Sequence, residues 1–332
     1  MHSLHTVHRS RSVRPYVQIA RVDHWFKNAF MLLGVFLALF YEPTLFTWAS
    51  VPRLSLAVLA TCLIASSNYV LNELLDAPYD RFHPVKRSRP VPAGLVQPRV
   101  AVLEWLLLGA TGLTLAAWLH PYFAASGLAL WVMGVAYNVP PLRTKELPYL
   151  DVLSESVNNP LRLFLGWFAL VADKFPPLSL TLAYWMVGAF FMATKRFAEY
   201  RHIGDPETAA HYRKSFGYYT EERLLVSMFF YATLCALFVG VFIVRYHVEL
   251  ILFVPIAAGF FAYYLKLGLQ ADSPVQHPEK LYKEQGFLLY MILSVALFVL
   301  LMFINIPVLY ELFNIESSPL APLWTLGPSP GR

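Results

Sequence analysis

The chain has 332 residues, of which 57% are hydrophobic and 14% are charged, whereas about a quarter of the residues in ordinary soluble domains are charged. Its formal charge of +5 requires no nucleic acid, because Lys and Arg collect in the cytoplasmic loops of membrane proteins. The composition therefore excludes a soluble domain and predicts an all-α polytopic membrane protein. No basic-aromatic face indicates binding to DNA or RNA.

Nine apolar segments are each close to the roughly 20 residues that a helix needs to cross a bilayer. They lie at 26–45, 52–76, 101–119, 121–138, 150–171, 177–199, 223–245, 248–268 and 286–312. A cytoplasmic arm, residues 1–25, precedes them, and the Pro-rich tail, residues 313–332, is expected to be disordered. The first apolar segment is too long for the core of a cleaved signal peptide.

Loops rich in Lys and Arg alternate with loops that hold few of them. The cation-rich ones are the N-terminal arm and the loops at 77–100, 142–145, 195–223 and 266–285. Because the cytoplasmic side holds the excess, we expect the N-terminus in the cytoplasm, as in a multi-pass protein of a bacterial-type inner membrane. The polar groups then share one side, which predicts an active cavity open to the cytoplasm.

Acidic and amide side chains end the second apolar segment. Asn72, Asp76 and Asp80 recur every fourth residue, so on a helix they share one face, and Glu73 adjoins them. Oxygen ligands of this kind suit Mg²⁺, which binds carboxylates together with water and substrate phosphates. Pro78 interrupts helical hydrogen bonding, so Asp80 is expected on a kink or a loop.

A basic run follows these oxygen ligands directly. Lys86, Arg87 and Arg89 have the charge and the donors to bind the oxygens of a magnesium diphosphate. The structural alternative is a solvated helix end whose acidic and basic groups pair with each other.

Just before the first apolar segment, Lys27 and Asn28 follow Trp25. The structural interpretation is an interfacial anchor, with Trp at the headgroups and a snorkelling Lys. Lys27 and Asn28 are also candidates to face the cavity and bind substrate.

A second polar region surrounds the predicted fifth segment. Asp151, Glu155 and Asn158 recur at helical spacing, and Arg162 lies one turn further along. Ionisable residues inside membrane segments are candidates for function. The alternative is a buried ion pair that holds helices in register, either Glu155 with Arg162 or Asp151 with Arg143.

A third polar region ends the sixth segment with Lys195, Arg196 and Glu199. Lys195 and Glu199 are four residues apart, so a cation and a carboxylate point the same way from one helix. Cations dominate this region, which suits anionic groups of a substrate rather than a second metal site. The alternative is the cytoplasmic excess of positive charge.

Two stretches of the chain resemble the UbiA superfamily of intramembrane prenyltransferases. The first aspartate-rich motif of that superfamily stands here as Asn72-Glu73-x-x-Asp76-x-x-x-Asp80, followed by Lys86-x-x-Arg89-Pro90-x-x-x-Gly94. Glu73 replaces the usual Asp. A Tyr…Pro-Pro-Leu-Arg-x-Lys segment of the superfamily corresponds to Tyr137 and the stretch from Pro140 to Lys145.

This resemblance implies a UbiA-like bundle of about nine helices at residues 26–312 and Mg²⁺-dependent loss of diphosphate. It implies Asp76 and Asp80 as catalytic residues that hold Mg²⁺ with Asn72 and Glu73. The groups implied to bind substrate from these two stretches are Lys86, Arg89, Arg143 and Lys145.

The second aspartate-rich motif of the aromatic prenyltransferases is not found after the sixth segment, where Lys195, Arg196 and Glu199 stand instead. This position looks like the decaprenyl-phosphate phosphoribosyltransferase branch of the superfamily. That likeness implies transfer of 5-phosphoribose from phosphoribosyl pyrophosphate to a polyprenyl phosphate. In this interpretation Lys195 and Glu199 are catalytic residues that, with Arg196, hold either the 5-phosphate and ribose of the donor or the incoming lipid phosphate. Arg162 is a further substrate-binding residue.

Two other functions stay open. One is transfer of a prenyl group from a prenyl diphosphate to an aromatic or other small acceptor. The other is a membrane transporter, which the gathering of polar groups at one side of the bilayer disfavours. In both enzyme hypotheses the partners are the bilayer, a polyprenyl lipid and a diphosphate-bearing donor, and a homo-oligomer is compatible with the sequence.

Overall fold

The computed structural model describes residues 12–81, 86–315 and 322–326. Within these residues the regular structure is helical, with thirteen α-helices and short 3₁₀ segments between them. The α-helices are α1 (Arg14–Ile19), α2 (Leu32–Tyr41), α3 (Ser50–Asp80), α4 (Pro98–Leu119), α5 (Pro121–Asn138), α6 (Leu150–Ser156), α7 (Asn158–Phe168), α8 (Leu178–Ile203), α9 (Pro206–Tyr212), α10 (Glu221–Tyr246), α11 (Val254–Gly268), α12 (Gln285–Phe303) and α13 (Pro307–Leu312).

Seven helical stretches of the described chain are long and apolar enough to cross a membrane, so the protein is an integral, multi-pass membrane protein. They are Arg14–Tyr41, Ser50–Asp80, Pro98–Leu119, Leu178–Ile203, Glu221–Tyr246, Val248–Gly268 and Gln285–Phe303. The predicted count of nine is not confirmed. Helix α5 is present, but polar side chains such as Ser126 and Asn138 lower its mean hydropathy.

The predicted single segment at 150–171 is wrong, because α6 ends at Ser156 and α7 begins at Asn158. Pro160 has no N–H to donate to the Ser156 carbonyl four residues earlier. The Asn158 side chain instead donates from Nδ2 to the Glu155 carbonyl at 3.0 Å. The last predicted segment, 286–312, is likewise interrupted, since α12 ends at Phe303 and Pro307 begins a new helix.

The two ends of the chain are described only in part. The first helical stretch begins at Arg14, inside the predicted cytoplasmic arm, and residues 1–11 of that arm lie outside the described residues. In the predicted tail, Phe175 N–H donates to the Trp324 carbonyl at 2.9 Å. Residues 316–321 and 327–332 of the tail lie outside the described part of the chain.

The chain divides into two compact units, and unit 1 comprises Met1–Arg143 and Leu161–Ala172. In unit 1, α3 packs along α4 and α5. Helices α2 and α7 approach backbone to backbone, because a side chain at Gly34 would collide with the Leu163 carbonyl and one at Gly166 with the Met31 carbonyl. Small residues at these crossings are what permit close helix packing in membranes.

Unit 2 comprises Thr144–Pro160 and Asp173–Arg332. Helix α8 is its centre and packs against α6, α10 and α11. The core contains buried aromatic side chains, among them Phe190, Phe197, Phe216 and Tyr264. Both the α6 and α8 elements that carry polar site residues therefore belong to one well-packed unit.

Candidate active site

The predicted stripe of oxygen ligands lies on one face of α3 in unit 1. Helix α3 runs without interruption from Ser50 to Asp80 although Pro78 lies inside it. Asp80 is therefore the last residue of the helix and does not lie in a loop, because Pro78 removes a single hydrogen bond in the last turn. Asn72, Asp76 and Asp80 are thus one turn apart, as the spacing predicts.

Asp80 is held by the basic run that follows it. Its Oδ2 accepts a hydrogen bond from Arg89 Nη1 at 2.8 Å, and its Oδ1 lies 3.9 Å from Lys86 Nζ. The Asp80 side chain is 8% exposed, whereas the side chains of Arg89 and Lys86 are 31% and 36% exposed. The cations can therefore reach a solvent-borne anion, which would compete with Asp80 for them.

Asp76 is paired with a cation from a different loop. Arg143 Nη2 lies 3.4 Å from Asp76 Oδ1, and Arg143 Nη1 donates to the Asn138 carbonyl at 3.1 Å. The Arg143 guanidinium also lies 5.4 Å from the centre of the Tyr79 ring. The structure thus brings together a predicted diphosphate-binding cation and a predicted metal ligand that are 67 residues apart in sequence.

Asn138 orients the third predicted ligand, Asn72, and the sequence indicated no role for it. Asn138 Nδ2 donates to the Gly134 carbonyl at 2.9 Å, so its Oδ1 is left to accept from Asn72 Nδ2 at 2.6 Å. Because a carbonyl oxygen can only accept hydrogen bonds, these contacts fix the orientation of both carboxamide groups. The Asn72 oxygen therefore points away from Asn138 and is available as a ligand.

Glu73 is buried beside this stripe. It is 4% exposed, and its Oε1 accepts a hydrogen bond from the backbone N–H of Val91 at 3.1 Å. Val91 belongs to the turn that carries Arg89. The side chain that the sequence predicted as a metal ligand thus contacts the basic turn.

Two more predicted substrate-binding residues of unit 1 meet within the helices. Arg162 Nε on α7 donates to Asn28 Oδ1 at 3.0 Å, and Asn28 Nδ2 donates to Cys62 Sγ at 3.2 Å. Asn28 is buried, while Lys27 beside it is partly exposed. Trp25 donates to Ser66 Oγ at 2.9 Å rather than lying free at the membrane surface.

Unit 2 holds a second cluster, centred on Arg196 of α8. Its Nη2 lies 2.8 Å from Glu155 Oε2, its Nη1 3.1 Å from Glu199 Oε2, and its Nε 3.3 Å from Asp151 Oδ2. The guanidinium is 4% exposed. Lys195 of the same helix lies 3.8 Å from Glu199 Oε1 and is 25% exposed. Of the two predicted cations, Lys195 is thus the more accessible to a substrate.

Asp151 is the most buried member of this cluster, with a side chain that is 0% exposed. Besides Arg196 it accepts hydrogen bonds from Tyr219 Oη at 2.6 Å and Ser215 Oγ at 3.2 Å, and Arg213 lies 3.6 Å away. These partners are 64 and 68 residues away in sequence, so spacing gave no signal for them. Burial and the charge of Asp151 raise the pKa of the Tyr219 phenol, which keeps it a hydrogen-bond donor.

The remaining predicted substrate-binding residue, Lys145, lies in the 3₁₀ segment Thr144–Glu146 of unit 2 and is 7% exposed. Its neighbour Glu146 accepts from Lys214 Nζ at 2.7 Å. Lys145 is therefore a buried cation. Lys214, which pairs with the neighbouring Glu146, is the exposed one.

The donor set of α3 is compatible with Mg²⁺. Among the described residues, no group of three His, Cys, Asp or Glu side chains forms a metal site. Asp76 and Asp80 supply two carboxylates, and the oriented carboxamide of Asn72 supplies a third oxygen. Such a sparse set suits Mg²⁺, which takes its remaining ligands from water and substrate phosphates.

A sequence model of the UbiA prenyltransferase family matches residues 28–282 of the chain. Among curated proteins, the chain is 31% identical over 209 residues to decaprenyl-phosphate phosphoribosyltransferase of Mycobacterium tuberculosis, covering 63% of this chain and 67% of that protein. The Mycolicibacterium smegmatis protein of the same name is also 31% identical, with 63% of each chain covered. Protoheme IX farnesyltransferase of Sodalis glossinidius is 26% identical, covering 58% of this chain and 65% of that protein.

Solved structures show the same fold at lower identity. A UbiA homologue from Archaeoglobus fulgidus bound to DMAPP and Mg²⁺ superposes with a TM-score of 0.65 at 19% identity, covering 87% of this chain and 98% of that one. The same homologue bound to GPP and Mg²⁺ gives a TM-score of 0.63 over the same shares of the two chains. The helical architecture is therefore that of the UbiA homologues.

Proposed function

Because the chain belongs to the UbiA prenyltransferase family, and is thus a membrane transferase, we propose that it transfers 5-phosphoribose from phosphoribosyl pyrophosphate to a polyprenyl phosphate. The anomeric C1–O bond to diphosphate breaks and a C1–O bond to the lipid phosphate forms. The attacking phosphate oxygen is already anionic near neutral pH, so no general base is required. Displacement from the face opposite the leaving group inverts C1.

The observation that carries this proposal is the mixed charge of the Arg196 cluster. Ribose 5-phosphate presents hydroxyl donors and a phosphate, which need carboxylate acceptors and cations respectively. Glu199 and Glu155 supply carboxylates, and Lys195 supplies a partly exposed cation. A prenyl chain has no hydroxyl groups for those carboxylates to bind. The named phosphoribosyltransferase relatives support the same choice.

Arg196 itself is better suited to positioning than to binding. Each of its three nitrogens contacts a different carboxylate, and it is almost wholly buried. It therefore holds Glu155 and Glu199 in place while Lys195 and Glu199 contact the substrate. Lys145 and Arg213 are the additional cations of unit 2.

Unit 1 supplies the groups for the diphosphate. Asp76 and Asp80, with Asn72, would hold Mg²⁺, which when bound neutralises the charge that develops on the departing diphosphate. The cations that bind the diphosphate oxygens are Lys86, Arg89 and Arg143. Each leaves its carboxylate partner when the diphosphate binds.

Arg162 is the candidate for the lipid phosphate. It is a cation within the helical part of unit 1, and Asn28 fixes its guanidinium through the 3.0 Å hydrogen bond. Lys27 lies beside Asn28 on the 3₁₀ segment Val22–Met31. We place the N-terminus in the cytoplasm, because the loops that carry the excess cations are then cytoplasmic.

A second candidate is transfer of a prenyl group to a small acceptor. It is favoured by the 26% identity to protoheme IX farnesyltransferase of Sodalis glossinidius. In that reaction the allylic C–O bond to diphosphate breaks and the acceptor captures the prenyl carbon. The same α3 groups would then hold the prenyl diphosphate.

The test is diphosphate release by the purified full-length chain in nanodiscs with Mg²⁺. Phosphoribosyl pyrophosphate plus a polyprenyl phosphate is compared with a prenyl diphosphate plus aromatic acceptors or protoheme. Turnover with the first pair alone supports the proposal, and turnover with the second alone replaces it with prenyl transfer. Asp76→Ala should abolish either activity, and full turnover by that variant would exclude this site.

A further inference from the structure

Glu73 is tied to the turn that presents Arg89. Its Oε1 accepts the Val91 N–H at 3.1 Å, and Val91 follows Arg89 by two residues. Arg89 in turn donates to Asp80 Oδ2 at 2.8 Å. Seven residues separate Glu73 from Asp80, so the two carboxylates lie two turns apart on nearly the same face of α3. Helix α3 therefore holds the turn at two points.

The turn does not satisfy the Val91 N–H by itself. Its internal hydrogen bonds use the N–H groups of Arg89, Ala93, Gly94 and Leu95, while Val91 is 6% exposed. A buried N–H that lacks an acceptor destabilises the folded protein. The Glu73 carboxylate oxygen accepts this hydrogen bond, which is a structural task that an uncharged oxygen can also perform.

Apolar packing holds the same turn against α3. Val91 and Val96 lie in one buried cluster with Val70 and Ala77, which flank Glu73 on the helix, and with Ile19 of α1. Gly94 has a φ of 75°, which lets the chain reverse there without side-chain strain. The backbone is therefore packed on both sides of Glu73, next to the turn that its side chain contacts.

From these contacts we propose that Glu73 is a positioning residue: it anchors the Val91 turn so that Arg89 meets the diphosphate, and it is not a metal ligand. The longer arm of Glu, compared with Asp, is what spans from α3 to the Val91 N–H. The role in diphosphate binding rests on the proposed function, whereas the anchoring of the turn does not.

Two conservative variants separate anchoring from metal binding. Glu73→Gln keeps the length and an acceptor oxygen but loses the charge, whereas Glu73→Asp keeps the charge but loses one methylene. If Glu73 anchors the turn, Glu73→Gln should keep the turn in place and Glu73→Asp should not. A metal ligand fails with Gln, because a carboxylate binds Mg²⁺ far better than an amide, and it tolerates Asp better.

The first measurement is amide hydrogen exchange of residues 86–96 in the otherwise intact protein, without substrate. We expect wild-type protection in Glu73→Gln and at least tenfold faster exchange in Glu73→Asp. Equal protection in both variants, or loss in Gln alone, would overturn the anchoring role. This readout holds whatever the reaction is.

The second measurement uses turnover at varied donor and Mg²⁺ concentrations. Glu73→Asp should raise the KM for phosphoribosyl pyrophosphate about tenfold with the half-maximal Mg²⁺ concentration unchanged, and Glu73→Gln should restore KM to near wild type. A shift confined to the Mg²⁺ requirement in Glu73→Gln would make Glu73 a metal ligand. Absence of turnover in every form, with the exchange result intact, would refute the proposed function but not the anchor.

Discussion

In unit 1 each carboxylate of the α3 stripe is paired with cations from a loop, whereas in unit 2 one guanidinium is shared by three carboxylates. The loop cations on Asp80 are about one-third exposed, with Arg89 at 31%, but Arg196 is 4% exposed and Asp151 0%. Exposed ion pairs contribute little to stability, so the pairs of Arg89 and Lys86 with Asp80 can open for a ligand. A buried cluster is expensive to disturb. The comparison distinguishes side chains that can bind substrate from side chains that hold other site residues in position.

The largest effect is expected at the exchangeable cluster, from Asp76→Asn. Losing a carboxylate for Mg²⁺ should raise the activation free energy by about 4 kcal/mol and so lower kcat roughly a thousandfold, whereas the carboxamide oxygen can still accept a hydrogen bond from Arg143. Asp23→Asn is the matched control, because that carboxylate of unit 1 is 69% exposed. Equal activity losses in the two variants would contradict the distinction.

The buried cluster should respond in stability instead. Arg196→Met leaves three carboxylates without their shared cation and should destabilise the protein by about 3–5 kcal/mol, measured as thermal unfolding in detergent. Lys195→Met, on the adjacent residue, should change stability by less than about 1 kcal/mol while raising the KM for the donor. If Lys195→Met proves as destabilising as Arg196→Met, Lys195 is structural as well.

A smaller effect is expected from Asn138→Leu, which frees the carboxamide of Asn72 to rotate. The Mg²⁺ concentration for half-maximal activity should rise about tenfold, as for other residues that orient a ligand. Asn68→Leu is the control, because Asn68 Nδ2 makes a similar α3–α5 hydrogen bond to the Leu130 carbonyl at 2.9 Å, one turn before Asn72. A matching Mg²⁺ shift in the control would show that helix packing, not ligand orientation, is responsible.

The last prediction concerns the pH dependence of stability in Tyr219→Phe. Burial and the Asp151 charge raise the pKa of this phenol, so it stays protonated in the folded state when an unfolded tyrosine ionises near pH 10. Its contribution is complete below about pH 10 and is lost as pH rises further. The variant should lose about 1.5–3 kcal/mol of folding stability at neutral pH. Above about pH 10 its stability should fall less steeply with pH than that of the wild type. An unchanged alkaline slope would argue against the phenol–carboxylate contact.

Much of the stripe could be read from sequence because it is local. Asn72, Asp76 and Asp80 repeat at helical spacing on one helix, so helix geometry brings them together. Lys86 and Arg89 follow within a few residues, on the loop after this helix. Pro78 led to the expectation of a loop at Asp80, but a proline in the last turn of a helix removes only one hydrogen bond. Adjacency in sequence did not reveal that the Glu73 side chain accepts a hydrogen bond from the Val91 N–H.

By itself, the sequence determined that this is a helical membrane protein with an acidic stripe, a basic turn and a cationic third region. These properties follow from composition, hydropathy and spacing along single helices. Only the tertiary structure decided that Asp151 contacts Tyr219 and Arg196, and that Asn138 orients the carboxamide of Asn72. It also decided that residues 150–171 form two helices instead of one. Each of these rests on contacts between distant residues or on the fate of individual backbone hydrogen bonds, which a local pattern does not encode.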